Sequence, residues 1–304
     1  MSLLTVGTVA FDTIETPYGI AERVVGGSCT YVSMAASYFI KNINLSAVIG
    51  DDFPASELDY FRSLGINLEG LDIQQGEKSF FWHGRYHKNM NQRDTLVTDL
   101  NVLAHFKPVL PENYKTSDFV MLGNLTPDIQ MSIINQMTKK PALIALDTMN
   151  FWMDIALDSL LHVLKNVDVL IINDEEARQL SGEHALRKAA TKILTMGPKY
   201  LVIKKGEHGA MLFHKNEIFY VPALPLEEVF DPTGAGDTFA GGFMGYMASK
   251  GKPNFENMKR AMIYGSSLAS FCVEKFSTEG LKNLTQTDIQ ARANRFVKMV
   301  KIKI

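Results

Sequence analysis

The nine residues Asp231-Pro232-Thr233-Gly234-Ala235-Gly236-Asp237-Thr238-Phe239 place an acid beside a string suited to an anion-binding turn. Pro232 and the glycines oppose helix before residue 234, and the pattern from there through Met247 is helical. A tight turn opening directly into a helix is therefore predicted. At such a junction the N–H groups of Gly234, Ala235 and Gly236 point out of the helix N-terminus and favour an anion. The small side chains let a phosphoryl group approach the backbone closely. Asp237 falls in the first helical turn. A carboxylate beside transferred phosphate is costly unless it has a task, and accepting the proton of an attacking hydroxyl is one. The plainer role is an acid complementing a helix start; it suits an isolated Gly-x-Gly-Asp better than this whole string.

Other residues with chemical potential sit where apolar runs end. Leu3–Phe11, Leu45–Ile49, Phe119–Leu122, Ala142–Leu146, Val169–Ile172 and Leu201–Ile203 read as strands buried on both faces. Helical patterns such as Ser28–Lys41, Pro127–Thr138 and Glu175–Leu180 lie between them. This alternation predicts an α/β fold with a mostly parallel sheet sandwiched between helices. The residues after the strands are Gly50-Asp51-Asp52, Gly123-Asn124, Asp147, Asn173 and Lys204-Lys205. Ligands of open parallel sheets bind beyond the strands' carboxyl ends, so a polar cleft is expected at that edge. Asp12 follows the first strand and suits a pair of substrate hydroxyls, although a turn or cap Asp reads the same.

Two segments break the rhythm, 12–25 and 69–100. Within the second, Phe80, Trp82 and Tyr86 alternate with Phe81, His83, Arg85 and His87, which is strand periodicity. A small separate β-sheet lid over the strand edge is expected from these two segments, within one domain spanning 1–304. His83 and His87 lack the helical setting of a metal pair. Lys78, Arg85, His87, Lys88 and Arg93 form a basic cluster in the lid, read as a solvated face, a dimer contact or a contact to an acidic ligand. Asp147-Thr148-Met149-Asn150-Phe151-Trp152 reads either as lining on the phosphate side or as a helix cap. The tail from Asn254 is helical.

The 304 residues contain 31 Lys+Arg against 33 Asp+Glu, so no basic surplus points to nucleic acid. No apolar run reaches the ~18 residues of a membrane span. Cys29 and Cys272 are too few for a cysteine zinc site and suit free thiols. A cytoplasmic protein is expected. P-loop and protein-kinase signatures are absent, as is Gly-x-Gly-x-x-Gly after the first strand.

On the complete Asp-x-Thr-Gly-Ala-Gly-Asp-x-Phe signature, the chain resembles the PfkB/ribokinase family of sugar and nucleoside kinases. Gly26-Gly27 before the first helix, Asn173-x-x-Glu176, and Gly206-x-x-Gly209 stand in that family's order. The resemblance implies a ribokinase-like three-layer αβα sandwich with a β lid. It implies ATP as co-substrate, Mg2+, and a hydroxyl of a sugar-like polyol as acceptor, with nucleoside or inositol as the alternative. Asp237 then matches the catalytic base and Gly234, Ala235 and Gly236 the anion hole. Asp12, Gly26 and Gly27 match the substrate side. Asn173, Glu176, Lys205, Gly206, Gly209 and Thr233 match the nucleotide side, with Glu176 reaching Mg2+ through water. Asp231 matches the residue that holds a monovalent cation such as K+ in members using one. The glycine usual in the loop after the penultimate helix stands here as Ser277. The residues after Gly27 match neither the ribokinase-like nor the fructokinase-like pattern. A homodimer through the lids is a further expectation. A rival of another class is a ligand-binding regulator without turnover, against which the intact signature argues.

Overall fold

The computed structural model describes residues 1–302. The chain begins with β1 (Leu3–Val6), β2 (Ala10–Thr16), β3 (Gly19–Gly26), α1 (Ser28–Ala36), β4 (Ile43–Gly50), α2 (Ala55–Ser63), β5 (Ile66–Gln74), β6 (Phe80–Tyr86) and β7 (Arg93–Asp99). It continues with β8 (Phe119–Leu122), α3 (Pro127–Gln136), β9 (Leu143–Asp147), α4 (Asn150–Ile155), α5 (Leu157–Leu164), β10 (Val169–Asn173), α6 (Asp174–Ser181), α7 (Leu186–Leu194), β11 (Tyr200–Lys204), β12 (Ala210–His214) and β13 (Glu217–Val221). The helices α8 (Ala235–Lys250), α9 (Phe255–Cys272) and α10 (Gln286–Val300) follow.

The large sheet runs β13-β12-β11-β10-β9-β8-β1-β4-β5. All neighbours from β11 to β5 are parallel, and β12 and β13 close one edge as an antiparallel hairpin. Alternate strand residues feed two separate cores, as period two requires. Leu3, Leu45, Met121, Ala145, Ile171 and Val202 join the core shared with α1, α8 and α9. Leu4, Val120, Leu146, Leu170 and Ile203 join the core shared with α3, α5, α6 and α7. The result is the expected three-layer αβα sandwich. No helix among the described residues is long and apolar enough to cross a membrane.

A second sheet, ordered β3-β2-β6-β7, forms the lid. The apolar run Leu3–Phe11 is not one strand, as the sequence suggested. It divides into β1 of the large sheet and β2 of the lid. The break falls at Gly7, where a Cβ would come 2.5 Å from Ser28 Oγ at the start of α1. Asp12 consequently lies inside β2, paired with Trp82 and Val24 across the lid, rather than at the end of the first strand. Residues 69–74 belong to β5 of the large sheet, because they extend the parallel pairing with β4. The two cysteines are free and buried.

Candidate active site

The turn before α8 is built around Gly234, the helix N-cap, at φ 74° and ψ 0°. That left-handed conformation favours glycine, and a Cβ here would also overlap the ring of Tyr31 from α1. Residue 234 is therefore fixed as Gly by conformation and by packing. Ala235 N–H donates to the Pro232 carbonyl at 3.2 Å, so it is less available than the sequence suggested. Among the described residues, the N–H groups of Gly234 and Gly236 have no partner in the surrounding loops. This is the ordinary condition of a helix start, where the first amides lack intrahelical acceptors.

Four acids and a lysine gather around this turn. Asp237 lies in the first turn of α8. Burial first, and then repulsion from Asp147, pushes its carboxyl up to about 7, while Lys204 and Arg93 pull the other way. Asp12 is 5% exposed, and burial with the charges of Asp231 and Asp237 raises it to about 7. A side chain at Gly26 would overlap the Asp12 carboxylate. At Gly27, φ is 91° and a Cβ would lie 2.5 Å from the Thr8 carbonyl oxygen. The two glycines thus let β3 pass tightly behind Asp12 on its way into α1.

Asn173 and Glu176 form a reciprocal cap on α6. Asn173 Oδ1 accepts the Glu176 N–H at 2.8 Å, and Glu176 Oε2 accepts the Asn173 N–H at 2.7 Å. Glu176 is 7% exposed, and burial followed by repulsion from Asp147 raises it to about 7. The cap engages one oxygen of Glu176. Mg2+ binds through one or two carboxylates together with phosphate and water, so this partly engaged acid fits it. Among the described residues no three acids, histidines or cysteines form a complete metal cage.

Asp231 is fully buried. Its Oδ1 accepts the Thr233 N–H at 2.8 Å, and its Oδ2 accepts the Ser277 N–H at 2.8 Å. It therefore ties the turn before α8 to the loop after α9. Ser277 adopts φ 54°, the region that favours glycine.

The nucleotide-side residues divide. Gly206 and Gly209 both have positive φ and form the turn between β11 and β12. A Cβ on Gly209 would overlap the Val221 carbonyl. Lys205 does not join the acid cluster: its Nζ lies 5.9 Å from the Tyr220 ring centre. Its neighbour Lys204 does, with Nζ 3.4 Å from Asp147 Oδ1. The lid reaches the body at several points, among them Arg23 with Asp52 and Ser277 Oγ with the Val25 carbonyl. Thr233 Oγ1 donates to Tyr86 Oη at 3.2 Å, and Asn91 Nδ2 donates to Glu207 Oε1 at 3.1 Å. Arg93, opposite Tyr86 on β7, places a positive charge that acts on Asp12, Glu176 and Asp237.

Residues 3–284 match the pfkB family carbohydrate kinase description. The chain belongs to the pfkB family of carbohydrate kinases. It is accordingly an ATP-dependent phosphotransferase acting on a hydroxyl of a small molecule. A cytidine kinase of Thermococcus kodakarensis is 29% identical over 258 residues, covering 83% of this chain and 90% of the relative. The crystal structure of a nucleoside kinase from Methanocaldococcus jannaschii superposes with a TM-score of 0.77 at 21% identity, covering 97% of this chain and 99% of that one. A putative ribokinase II from E. coli in complex with ATP and Mg2+ superposes at 0.76 with 17% identity, covering 97% and 99%.

The sequence sets Lys204 and Asp147 at strand ends without fixing their part in the acid cluster, and it does not show how Tyr31 packs. The two lysines after β11 read alike in the sequence, and the structure brings Lys204, not Lys205, to the acids. Asp147 fits phosphate-side lining and a helix cap equally in the sequence, and the structure pairs it with Lys204. Tyr31 reads as one more apolar position of α1, and nothing in its spacing reveals that it supports Gly234.

Proposed function

We propose that this pfkB kinase transfers the γ-phosphoryl group of MgATP to a hydroxyl on a sugar ring, with a nucleoside as the favoured carrier of that ring. The observation that carries the reading is that Asp12 of the lid faces the charge of Asp237, which follows the Gly234–Gly236 turn. Asp12 accepts hydroxyls of the acceptor and orients them. Asp237 takes the proton of the reacting hydroxyl. The oxygen so freed bonds to the γ-phosphorus as the bond to the β–γ bridging oxygen breaks and ADP leaves. The turn amides hold the charge on the group in transit. Glu176, held by Asn173, is the residue that would hold Mg2+, through water, and the ion neutralises phosphate charge when bound. Gly206, Gly209 and Thr233 border the nucleotide, with the Lys205 backbone beside them. The lid excludes water, so that ATP is not hydrolysed.

The similarity to cytidine and nucleoside kinases favours a nucleoside over a free sugar. Asp231 accepts one N–H on each oxygen, and the lone pairs left over suit a monovalent cation such as K+. Ile20, Leu96, Val97 and Leu100 leave exposed apolar surface on and beside the lid, which suits a homodimer through the lids in a cytoplasmic enzyme. The test is ADP release from MgATP against nucleosides, pentoses, hexoses and inositols, run in KCl and in tetramethylammonium chloride. Stimulation by nucleosides with a higher rate in KCl is expected. Stimulation by free sugars alone would overturn the nucleoside assignment, and equal rates in both salts would overturn the reading of Asp231.

A further inference from the structure

Lys204 ends β11 and pairs in register with Asn173 of β10, so the large sheet carries it to the edge where the acids gather. Its side chain is 18% exposed. Its contact with Asp147 at 3.4 Å is its one hydrogen bond among the described residues. Charge-assisted bonds of this kind are usually about 2.7–2.9 Å, so this one is weak. An ammonium has three N–H donors, and the rest of this group's capacity is unspent in a place largely shut off from water. The same Nζ lies 2.9 Å from where a Cβ on Gly236 would sit. A cation therefore stands against the N-terminus of α8, itself equivalent to roughly half a positive charge. Two positive groups with spare donors converge on one spot. Asp147 and Asp237 offset part of the repulsion, and an anion reached by both the ammonium and the turn amides would satisfy both.

We propose that Lys204 is a further catalytic residue, its ammonium donating to a non-bridging oxygen of the γ-phosphoryl group that the Gly234 and Gly236 amides also hold. The inference rests on the assignment of that turn and Asp237 to phosphoryl transfer. The competing role is a counter-charge for Asp147, Glu176 and Asp237, all of which act on Lys204. The two roles separate experimentally. A counter-charge serves ATP and ADP complexes alike, and becomes dispensable when one acid is removed with it. A ligand of the γ-phosphoryl group discriminates between the two nucleotides and remains indispensable.

The experiment compares wild type, Lys204→Met and the charge-balanced Lys204→Met/Asp147→Asn. Turnover is measured, together with the affinities of Mg-ADP and of the non-hydrolysable β,γ-imido analogue of ATP. Both variants are expected to lose about 100-fold or more in kcat, the size typical of removing one transition-state donor. Affinity for the imido analogue is expected to fall about tenfold, while that for ADP stays within about threefold. Equal losses for the two nucleotides, or return of the double variant to within about tenfold of wild-type kcat, would make Lys204 a counter-charge and overturn the proposal. If Lys204→Met alone fails to fold, the double variant, which keeps the cluster's net charge, decides by itself. Asp237→Asn runs in parallel. Turnover retained there breaks the parent reading, whereas the ADP and imido-analogue affinities of the Lys204 variants judge Lys204 independently.

Discussion

Asp237 must lose a proton before it can accept one, and its surroundings oppose that loss. Burial and Asp147 push it up to about 7, so below that pH most of the enzyme holds a neutral acid. Turnover is expected to rise about tenfold per pH unit up to about pH 7 and then level off. Asp147→Asn removes the repulsion and should move this acid limb to lower pH; a pH–kcat/KM profile checks it, and an unmoved limb would contradict it. The signature was legible because its residue types and spacing have few structural uses in common. Lys204 was not, because strands alternate sides. An uncertainty of one position at the end of Leu201–Ile203 exchanges the residue facing the acids for one beside Tyr220.

At the scale of elements, caps and strand ends decide where functional groups lie. The Asn173–Glu176 box stabilises the start of α6 and fixes Glu176 at once. Asn173→Ala is expected to cost about 1 kcal/mol, lowering Tm by about 2 to 4 °C. It should also raise the Mg2+ concentration needed for half-maximal rate, because Glu176 loses its partner. Calorimetry and an Mg2+ titration check both, and an unchanged Mg2+ requirement would separate the cap from the ion. The buried strands were legible from their continuous apolar runs. The division of Leu3–Phe11 was not, because it comes from the close approach of Gly7 to α1, a contact between segments some twenty residues apart.

For the whole molecule, the ligand-free cleft is a store of unfavourable charge. Asp12, Glu176 and Asp237 are each raised to about 7. In the unfolded chain they titrate near 4. Between those values the folded protein binds protons that the unfolded chain has released. Their contribution to stability is therefore present at low pH and lost as pH rises through about 7. The Tm of the ligand-free enzyme is expected to fall between pH 5.5 and 8, and to fall less in Asp237→Asn. A Tm that rises across this range in both proteins would contradict the burial of these acids. The lid was legible as a separate sheet from the period of Ser79–His87. Its closure onto the body was not, since Thr233–Tyr86 and Asn91–Glu207 join residues distant in the chain.

Phosphoryl transfer in this cleft depends most directly on Asp237. Single-turnover phosphoryl transfer in Asp237→Asn, with MgATP and the best acceptor from the panel both shown to bind, tests it. A fall of about 1000-fold or more with both affinities within about threefold is expected, since a general base contributes about 100- to 10000-fold. Transfer within about tenfold of wild type would show that the proton leaves by another route and that the cleft described above is not organised around this carboxylate.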